Sequence, residues 1–188
     1  DNNMLETTQN GFRVVDNRNC DDHVFCLSEM CRFAGLSKTP LHVAFIDFKS
    51  AFDAVPRNGL LHILRSLGIE RNTYLAIESM YRHTEAQALA NGAKSKSFMV
   101  HKGVAQGCPL SPTLFAIFIN SLLTELRNSG KGTDLDGFRL SNLAYADDIV
   151  LMAETSSELQ VLLDIVWNYG KKWHFSFGTN KCQVVLGS

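Results

Sequence analysis

The chain has 188 residues, of which 45% are hydrophobic, 10% aromatic and 20% charged. That balance excludes a disordered polymer and suits one domain with a sizeable core. Lys and Arg number 18 against 19 Asp and Glu, a net charge of −1 that argues mildly against a nucleic-acid grip, since phosphate binding ordinarily leaves a basic footprint. No apolar run is long enough to span a bilayer, no signal peptide is recognisable, and five cysteines without a CxxC pair point to reduced thiols in an intracellular protein. The chain opens on Asp1-Asn2-Asn3 rather than Met, as expected of a piece of something longer.

Residues 20–33 have the pattern of a helix with Val24, Leu27 and Cys31 on one inward face. Cys20, His23, Cys26 and Cys31 are zinc-type residues. Four ligands strung along one helix cannot close a tetrahedron around one ion, so buried helix thiols are expected instead. The run 41–48 (Leu-His-Val-Ala-Phe-Ile-Asp-Phe) predicts a buried strand, with Asp47 near its end. Leu60, Ile63, Leu64 and Leu67 recur at helical spacing until Gly68 stops them. A second helix is expected over 71–82, with Tyr74, Ile77 and Tyr81 inward.

Asn91-Gly92 is a favoured type I′ pair, so residues 85–90 and 96–100 should form a hairpin around it. Residues 103–109 are loop-like. Ser111 as N-cap and Pro112 in the first turn predict a helix to about Asn128, apolar on more than one face and therefore buried. A polar Gly-containing loop is expected at 129–136. Residues 142–153 predict two short strands around a tight Ala-Asp-Asp turn. Thr155 and Glu158 form a capping box for a helix to about Tyr169, and 183–186 is a final strand. The order gives an α+β plan, an antiparallel sheet backed by helices, with no repeat and no domain linker.

Asp47 and the pair Asp147-Asp148 each end an apolar run. Turn acids are one explanation, the simpler one for Asp148 alone. For Asp47 it is weaker, because Phe45, Ile46 and Phe48 around it imply burial, and an unpaired buried carboxylate must neutralise, pair or bind a metal. If the strands lie side by side, three carboxylates meet. Their repulsion raises at least one pKa, and hard oxygen donors of this kind suit Mg²⁺ in phosphoryl transfer.

The motifs then become specific. Ile46-Asp-Phe-Lys-Ser-Ala-Phe-Asp-Ala-Val-Pro56, Gly103-Val-Ala-Gln-Gly-Cys-Pro-Leu-Ser-Pro-Thr-Leu-Phe115, Ala144-Tyr-Ala-Asp-Asp-Ile-Val-Leu151 and Asn180-Lys181 follow one another in order. They resemble the four palm motifs of reverse transcriptases, most closely those of non-LTR (LINE-type) retrotransposons. Gln9-Asn-Gly-Phe-Arg13 and Asp22-His-Val-Phe25 are similar to the segment just ahead of that palm. The resemblance covers nearly the whole chain and implies a right-hand polymerase palm over 1–188 with part of the fingers. The upstream fingers segment, whose basic residues would grip the triphosphate, and the thumb are not recognisable. This accounts for the flat charge balance.

By the same resemblance the chain is an RNA-directed DNA polymerase, adding dNTPs to a DNA primer on an RNA template with two Mg²⁺, or Mn²⁺ in their place. Asp47, Asp147 and Asp148 would be the catalytic metal ligands, with the Phe48 carbonyl as a further one. Phe52 falls at the steric gate beneath the sugar, the alternative being an ordinary core aromatic. Ala51, Gln106, Gly107 and Tyr145 match substrate-side positions. Lys181 matches a proton donor to pyrophosphate, the alternative being a solvated surface charge. Asp53 also matches, with local hydrogen bonding as its only assignable role. Ala105 stands where many relatives carry Arg, which touches template affinity, and His101 and Lys102 are the nearby basic substitutes. The function would be intracellular, and nuclear for a eukaryotic element. Two readings remain beside this one: a group II intron or bacterial-type reverse transcriptase, and a domesticated palm acting as a scaffold.

Overall fold

The computed structural model describes residues 5–11, 19–135 and 137–186. Phe12 and Arg13 of the upstream segment, and Asp136 at the end of the expected polar loop, lie outside them. In chain order the elements are α1 (Cys20–Ser37), β1 (His42–Ile46), α2 (Ala51–Ala54), α3 (Arg57–Ser66) and α4 (Arg71–Arg82). The short strands β2 (Glu85–Ala86), β3 (Leu89–Ala90), β4 (Ala93–Lys94) and β5 (Phe98–Met99) follow. Then come α5 (Ser111–Asn128), β6 (Thr133–Leu135), β7 (Phe138–Leu140), β8 (Asn142–Tyr145), β9 (Asp148–Ala153), α6 (Ser156–Trp173) and β10 (Gln183–Val185).

Alternation along two strands organises the rest. β10, β1, β9 and β8 lie in that order as an antiparallel sheet. Successive side chains of a strand point to opposite faces. Ala44, Ile46, Ile149, Leu151 and Ala153 take one face and join the main core beneath α5 and α6. Val43 and Met152 take the other, packed with Met30 of α1 and with Leu140 and Leu143. Shifting β1 by one residue would exchange these two sets, so the register is held by burial on both sides.

α5 is the centre of the core. Leu114, Phe115, Phe118, Ile119, Leu122, Leu123 and Leu126 recur at spacings of one, three and four residues, and each is at most 1% exposed. Full burial of each such side chain contributes roughly 1.5–3 kcal/mol. α6 begins where the Thr155 hydroxyl accepts the Glu158 N–H at 3.2 Å, as its sequence predicts. It runs one turn past Tyr169 before His174, at φ 58, ends it. Ile77 and Tyr81 of α4 are buried as expected, and Gly68 follows α3 at φ 69.

Several expectations need correction. α1 extends to Ser37 and presents a different face: Val24 is 62% exposed, and Cys20 and Cys31 are exposed rather than buried. Met30, with Cys26, Leu27 and Ala34, packs inward instead. Ser111 is the first residue of α5 rather than its cap, since Leu110 takes the cap position and the Ser111 hydroxyl donates to the Ala105 carbonyl at 2.6 Å. Part of the expected loop at 129–136 is strand, because β6 pairs with β7. Phe45 is 36% exposed, lining a cleft rather than the core.

Candidate active site at the open end of the sheet

β1 and β9 pair through Ile46 and Ile149, and one further step in that register brings Asp47 level with Asp148. Asp47 and Asp148 lie on the face of Phe45 and Val150, and all four line one cleft of about 470 Å³ together with Lys181 and Gln183. Asp147 sits at the hairpin turn, just outside the last ladder pair, Tyr145 with Asp148. Burial, followed by the charges of Asp148 and Asp47, pushes the Asp147 carboxyl above its ordinary range, while its own backbone N–H and Lys181 pull it back. The three acids therefore share one electrostatic neighbourhood. They are not a closed ligand set: among the described residues no three His, Cys, Asp or Glu side chains are gathered tightly enough to hold a metal ion. Mutual repulsion keeps like charges apart, and the Lys181 ammonium stands 3.2 Å from Asp47 Oδ1.

A tight turn delivers that lysine. The Gly178 N–H donates to the Asp47 carbonyl at 2.8 Å, and the Gly178 carbonyl accepts from Lys181 at 2.7 Å and Cys182 at 3.1 Å. A Cβ at Gly178 would strike Asp47 Oδ2, so a larger residue there would have to displace the carboxylate. On the same side Phe48 bridges to Phe177, and its ring packs against Phe175 and Phe177. Phe48 is 3% exposed and Ala51 2%, so neither offers a side chain to a substrate, and Ala51 in particular belongs to the core.

A second recess of about 390 Å³ is lined by Phe52, Gln106, Gly107, Cys108, Pro109, Ser111 and Pro112. Phe52 stacks on Phe115 with ring centroids 4.6 Å apart, so it is both a core-packed aromatic and a wall of this recess. Gly107 adopts φ 83 with nothing within 4 Å of where a Cβ would stand, leaving its backbone open to approach. The Gln106 amide donates to Asp53 Oδ1 at 2.8 Å, which gives Asp53 the local hydrogen-bonding role its motif position suggests. The loop is pinned to α2 by Gly103 N–H to the Val55 carbonyl at 2.8 Å and Val104 N–H to the Phe52 carbonyl at 2.9 Å.

One residue of this neighbourhood, Arg57, escaped sequence reasoning, and another, Gln9, was marked only as part of the segment ahead of the palm, with no role assigned. Arg57, 7% exposed, donates to the carbonyls of Gly103 and Tyr81 at 2.9 and 3.2 Å and to that of Val100, tying α3 to the loop. Gln9 is fully buried against the Ala146 turn. No periodicity marks either one; apart from Gly11 beside Gln9, their partners lie 24 to 137 residues away.

Residues 3–188 match the family described as reverse transcriptase (RNA-dependent DNA polymerase). The chain is 33% identical over 162 residues to a retrovirus-related Pol polyprotein from a type-1 retrotransposable element R2 of Nasonia vitripennis, covering 85% of this chain and 15% of the relative. Against the RNA-directed DNA polymerase from mobile element jockey of Drosophila funebris it is 31% identical, covering 75% and 16%. It thus spans about a sixth of these retrotransposon proteins. Among solved structures, apo telomerase from Candida tropicalis truncated from its C-terminal domain superposes with a TM-score of 0.67 at 17% identity, over 90% of this chain and 36% of that one. Telomerase from the same organism in complex with a fragment of telomeric RNA superposes at 0.69 with 13% identity, over 96% and 30%. Those likenesses show the palm fold, an antiparallel sheet with helices behind it. From its motifs, its fold and the match over 3–188, the chain belongs to the reverse transcriptase family, in the company of non-LTR retrotransposon proteins.

Proposed function

We propose that this chain is the palm, with part of the fingers, of an RNA-directed DNA polymerase of a non-LTR retrotransposon, copying RNA from a DNA primer with dNTPs. One observation carries the reading: the β1–β9 register sets Asp47 beside Asp148 in an open cleft, with Asp147 at the adjoining turn and its carboxyl raised by burial and then by both neighbours. Three acids need such proximity for no structural purpose, since repulsion among them only costs stability.

Asp47, Asp147 and Asp148 supply the hard oxygen donors that suit divalent cations, two Mg²⁺ or Mn²⁺ in this reading, and Lys181 already marks the place where a cation meets Asp47 Oδ1. Held by these three carboxylates, such ions would supply charge neutralisation to the oxygens of nucleotidyl transfer. The reaction joins the primer 3′-oxygen to the α-phosphorus as the bond to pyrophosphate breaks. The protein's own share is placement. Phe52, held by its stack on Phe115, closes the recess beneath the sugar and collides with a 2′-hydroxyl, which selects deoxynucleotides by exclusion. Gln106, steadied by Asp53, faces the same recess beside Gly107. Tyr145 pairs with Asp148 at the base of the turn. Lys181, largely exposed and able to leave Asp47, is positioned to give a proton to departing pyrophosphate. No helix among the described residues is long and apolar enough to cross a membrane. For a eukaryotic element the reaction would take place in the nucleus.

Primer extension by the active polymerase carrying Asp147→Asn tests the reading. Charge is removed at nearly constant volume, so the fold should stay and extension fall by about 1,000-fold, equivalent to several kcal/mol of transition-state stabilisation. Extension at the unsubstituted rate would end it.

A further inference from the structure

We propose that Gln9 is a positioning residue for the acidic turn: its carboxamide holds Ala146 in a left-handed conformation and thereby aims Asp147 and Asp148. The inference rests on the catalytic reading of those aspartates.

Ala146 has φ 56, a region that side chains with a Cβ disfavour, and it is 5% exposed. It lies beyond the last ladder pair of its hairpin, so the hairpin leaves its N–H and carbonyl unmatched in a buried place. Gln9 meets both. Its Oε1 accepts the Ala146 N–H at 3.0 Å, and its Nε2 donates to the Ala146 carbonyl at 3.2 Å. Oε1 also accepts the Gly11 N–H at 2.8 Å, which fixes the carboxamide plane. Gln9 itself is 0% exposed. A carboxamide offers an acceptor and a donor on one rigid group; Glu at neutral pH lacks the donor, and Met lacks both.

The support behind Gln9 is rigid. Residues 8–10 run along the free edge of β8: the Thr8 carbonyl accepts from Ala144, the Asn10 N–H donates to the Ala144 carbonyl, both at 2.9 Å, and Gln9 bridges Ala144 in parallel. Asn142 Nδ2 donates to the Thr8 hydroxyl at 3.0 Å. Upstream, the Glu6 N–H donates to Asn120 Oδ1 at 2.6 Å and the Glu6 carboxylate accepts from Thr124 at 2.7 Å, both on α5. Gly11 closes the box, since a Cβ there would strike the Ala146 nitrogen. The backbone bridge alone would secure the sheet edge. The side chain is directed at the one residue ahead of Asp147, so its effect falls on where the carboxylates point. A supporting group of this kind ordinarily contributes about 10–100-fold to metal affinity or activity.

Gln9→Met, close in length but without hydrogen bonds, and Gln9→Glu, which keeps Oε1 but loses the donor, test the role together. On the chain described here, amide hydrogen exchange at Ala146 and Mn²⁺ affinity are measured; in the active polymerase, kcat and nucleotide KM. Gln9→Met should speed Ala146 exchange and weaken Mn²⁺ binding, each by about tenfold, and lower kcat by about tenfold or more with KM within about twofold. Gln9→Glu should fall between Gln9→Met and the unsubstituted protein in Ala146 exchange, and it carries the test alone if Gln9→Met does not fold. Unchanged Mn²⁺ affinity and Ala146 exchange in the folded variants, with activity following only the folded fraction, would overturn the proposal. Failure of the catalytic reading registers separately, as Asp147→Asn that still extends primers while Ala146 exchange continues to respond to Gln9.

Discussion

Two of the hairpins that turn in two residues do so by opposite means. β3 and β4 meet through Asn91 and Gly92, at φ 50 and 79, the pair whose local chemistry suits two left-handed residues in succession. That hairpin is exposed throughout, with Leu89 at 70%, and its turn depends on no distant residue that the structure records. β8 and β9 meet through Ala146 and Asp147, where only Ala146 is left-handed and a Cβ makes that costly, by about 1–2 kcal/mol. Here the surroundings impose the conformation: Gln9, Gly11 and the bridge to Ala144 hold it from outside. The first turn could form in an isolated peptide, whereas the second needs the rest of the fold. Strain of this second sort gathers where a side chain must be aimed, and the next side chain along is the carboxylate of Asp147, at the turn beside the cleft.

The largest effect on this contrast should come from Gly11→Ala. Its Cβ would collide with the backbone nitrogen of Ala146, which no rotamer change can relieve, so the cost should be about 2–3 kcal/mol of global stability. Chemical denaturation measures it. A loss below about 0.5 kcal/mol would mean that the upstream segment yields easily and that the second turn holds itself. Gly92→Ala should do less and do it locally. Nothing lies within 4 Å of the new Cβ, so only the backbone at φ 79 objects. Exchange of the Ser95 amide, which donates to the Ala88 carbonyl at 2.9 Å, should quicken by about tenfold while the melting temperature barely moves, because this hairpin opens without the core.

The same contrast explains what could be read from the residues. Asn91-Gly92, the Thr155 cap and the apolar repeat of α5 are local signals, and each appears where it was expected. The acids at 47, 147 and 148 were legible because a carboxylate ending an apolar run contradicts its surroundings. Signals failed where a long-range partner competed with a local one. Ser111 was a plausible cap, but the Ala105 carbonyl takes its hydroxyl. Val24 and Cys31 matched a helical stripe, but the sheet face that α1 covers meets Met30, Cys26 and Leu27 instead. Arg57 and Gly178 carry no periodic mark at all, and Gln9 stands out only as one letter of a motif. Their importance exists only once residues remote in the chain are brought beside them.

A smaller effect separates the turn's chemistry from its geometry. The Asp147 carboxyl is raised from its ordinary value near 3.8, chiefly by burial and then by Asp148 and Asp47. The folded chain therefore binds more protons than the unfolded one across the window above that value, and stability falls as pH rises through it. In chelator, Asp147→Asn should melt slightly higher than the unsubstituted chain at pH 7, and the difference should vanish as pH drops below the ordinary carboxylate range. A melting difference that grew toward low pH would reverse the sign and show that the aspartate is held as an anion. Saturating Mn²⁺ should cancel or invert the advantage at pH 7, since the anionic form then gains a partner.

The smallest single effect should be Ala146→Gly, and it tests the comparison most directly. Glycine removes the left-handed penalty of about 1–2 kcal/mol, but it also gives the unfolded chain more freedom, worth about 0.4–1 kcal/mol, and deletes a buried methyl worth about 0.8 kcal/mol. These terms nearly cancel, so stability should stay within about 0.5 kcal/mol. The consequence appears in combination. If Gln9 is there to impose φ 56 on an unwilling residue, a glycine at 146 needs less imposing, and the double variant Gln9→Met with Ala146→Gly should recover part of the stability lost by Gln9→Met alone. A double-mutant cycle on denaturation energies reads that recovery as a coupling of about 0.5–1 kcal/mol, within the span found for contacting residues. Strict additivity would mean that Gln9 merely satisfies two buried polar groups and leaves the torsion to the hairpin. Recovery of stability without recovery of Mn²⁺ affinity would be informative in its own way: glycine relieves the strain but, being equally content elsewhere, does not restore the aim.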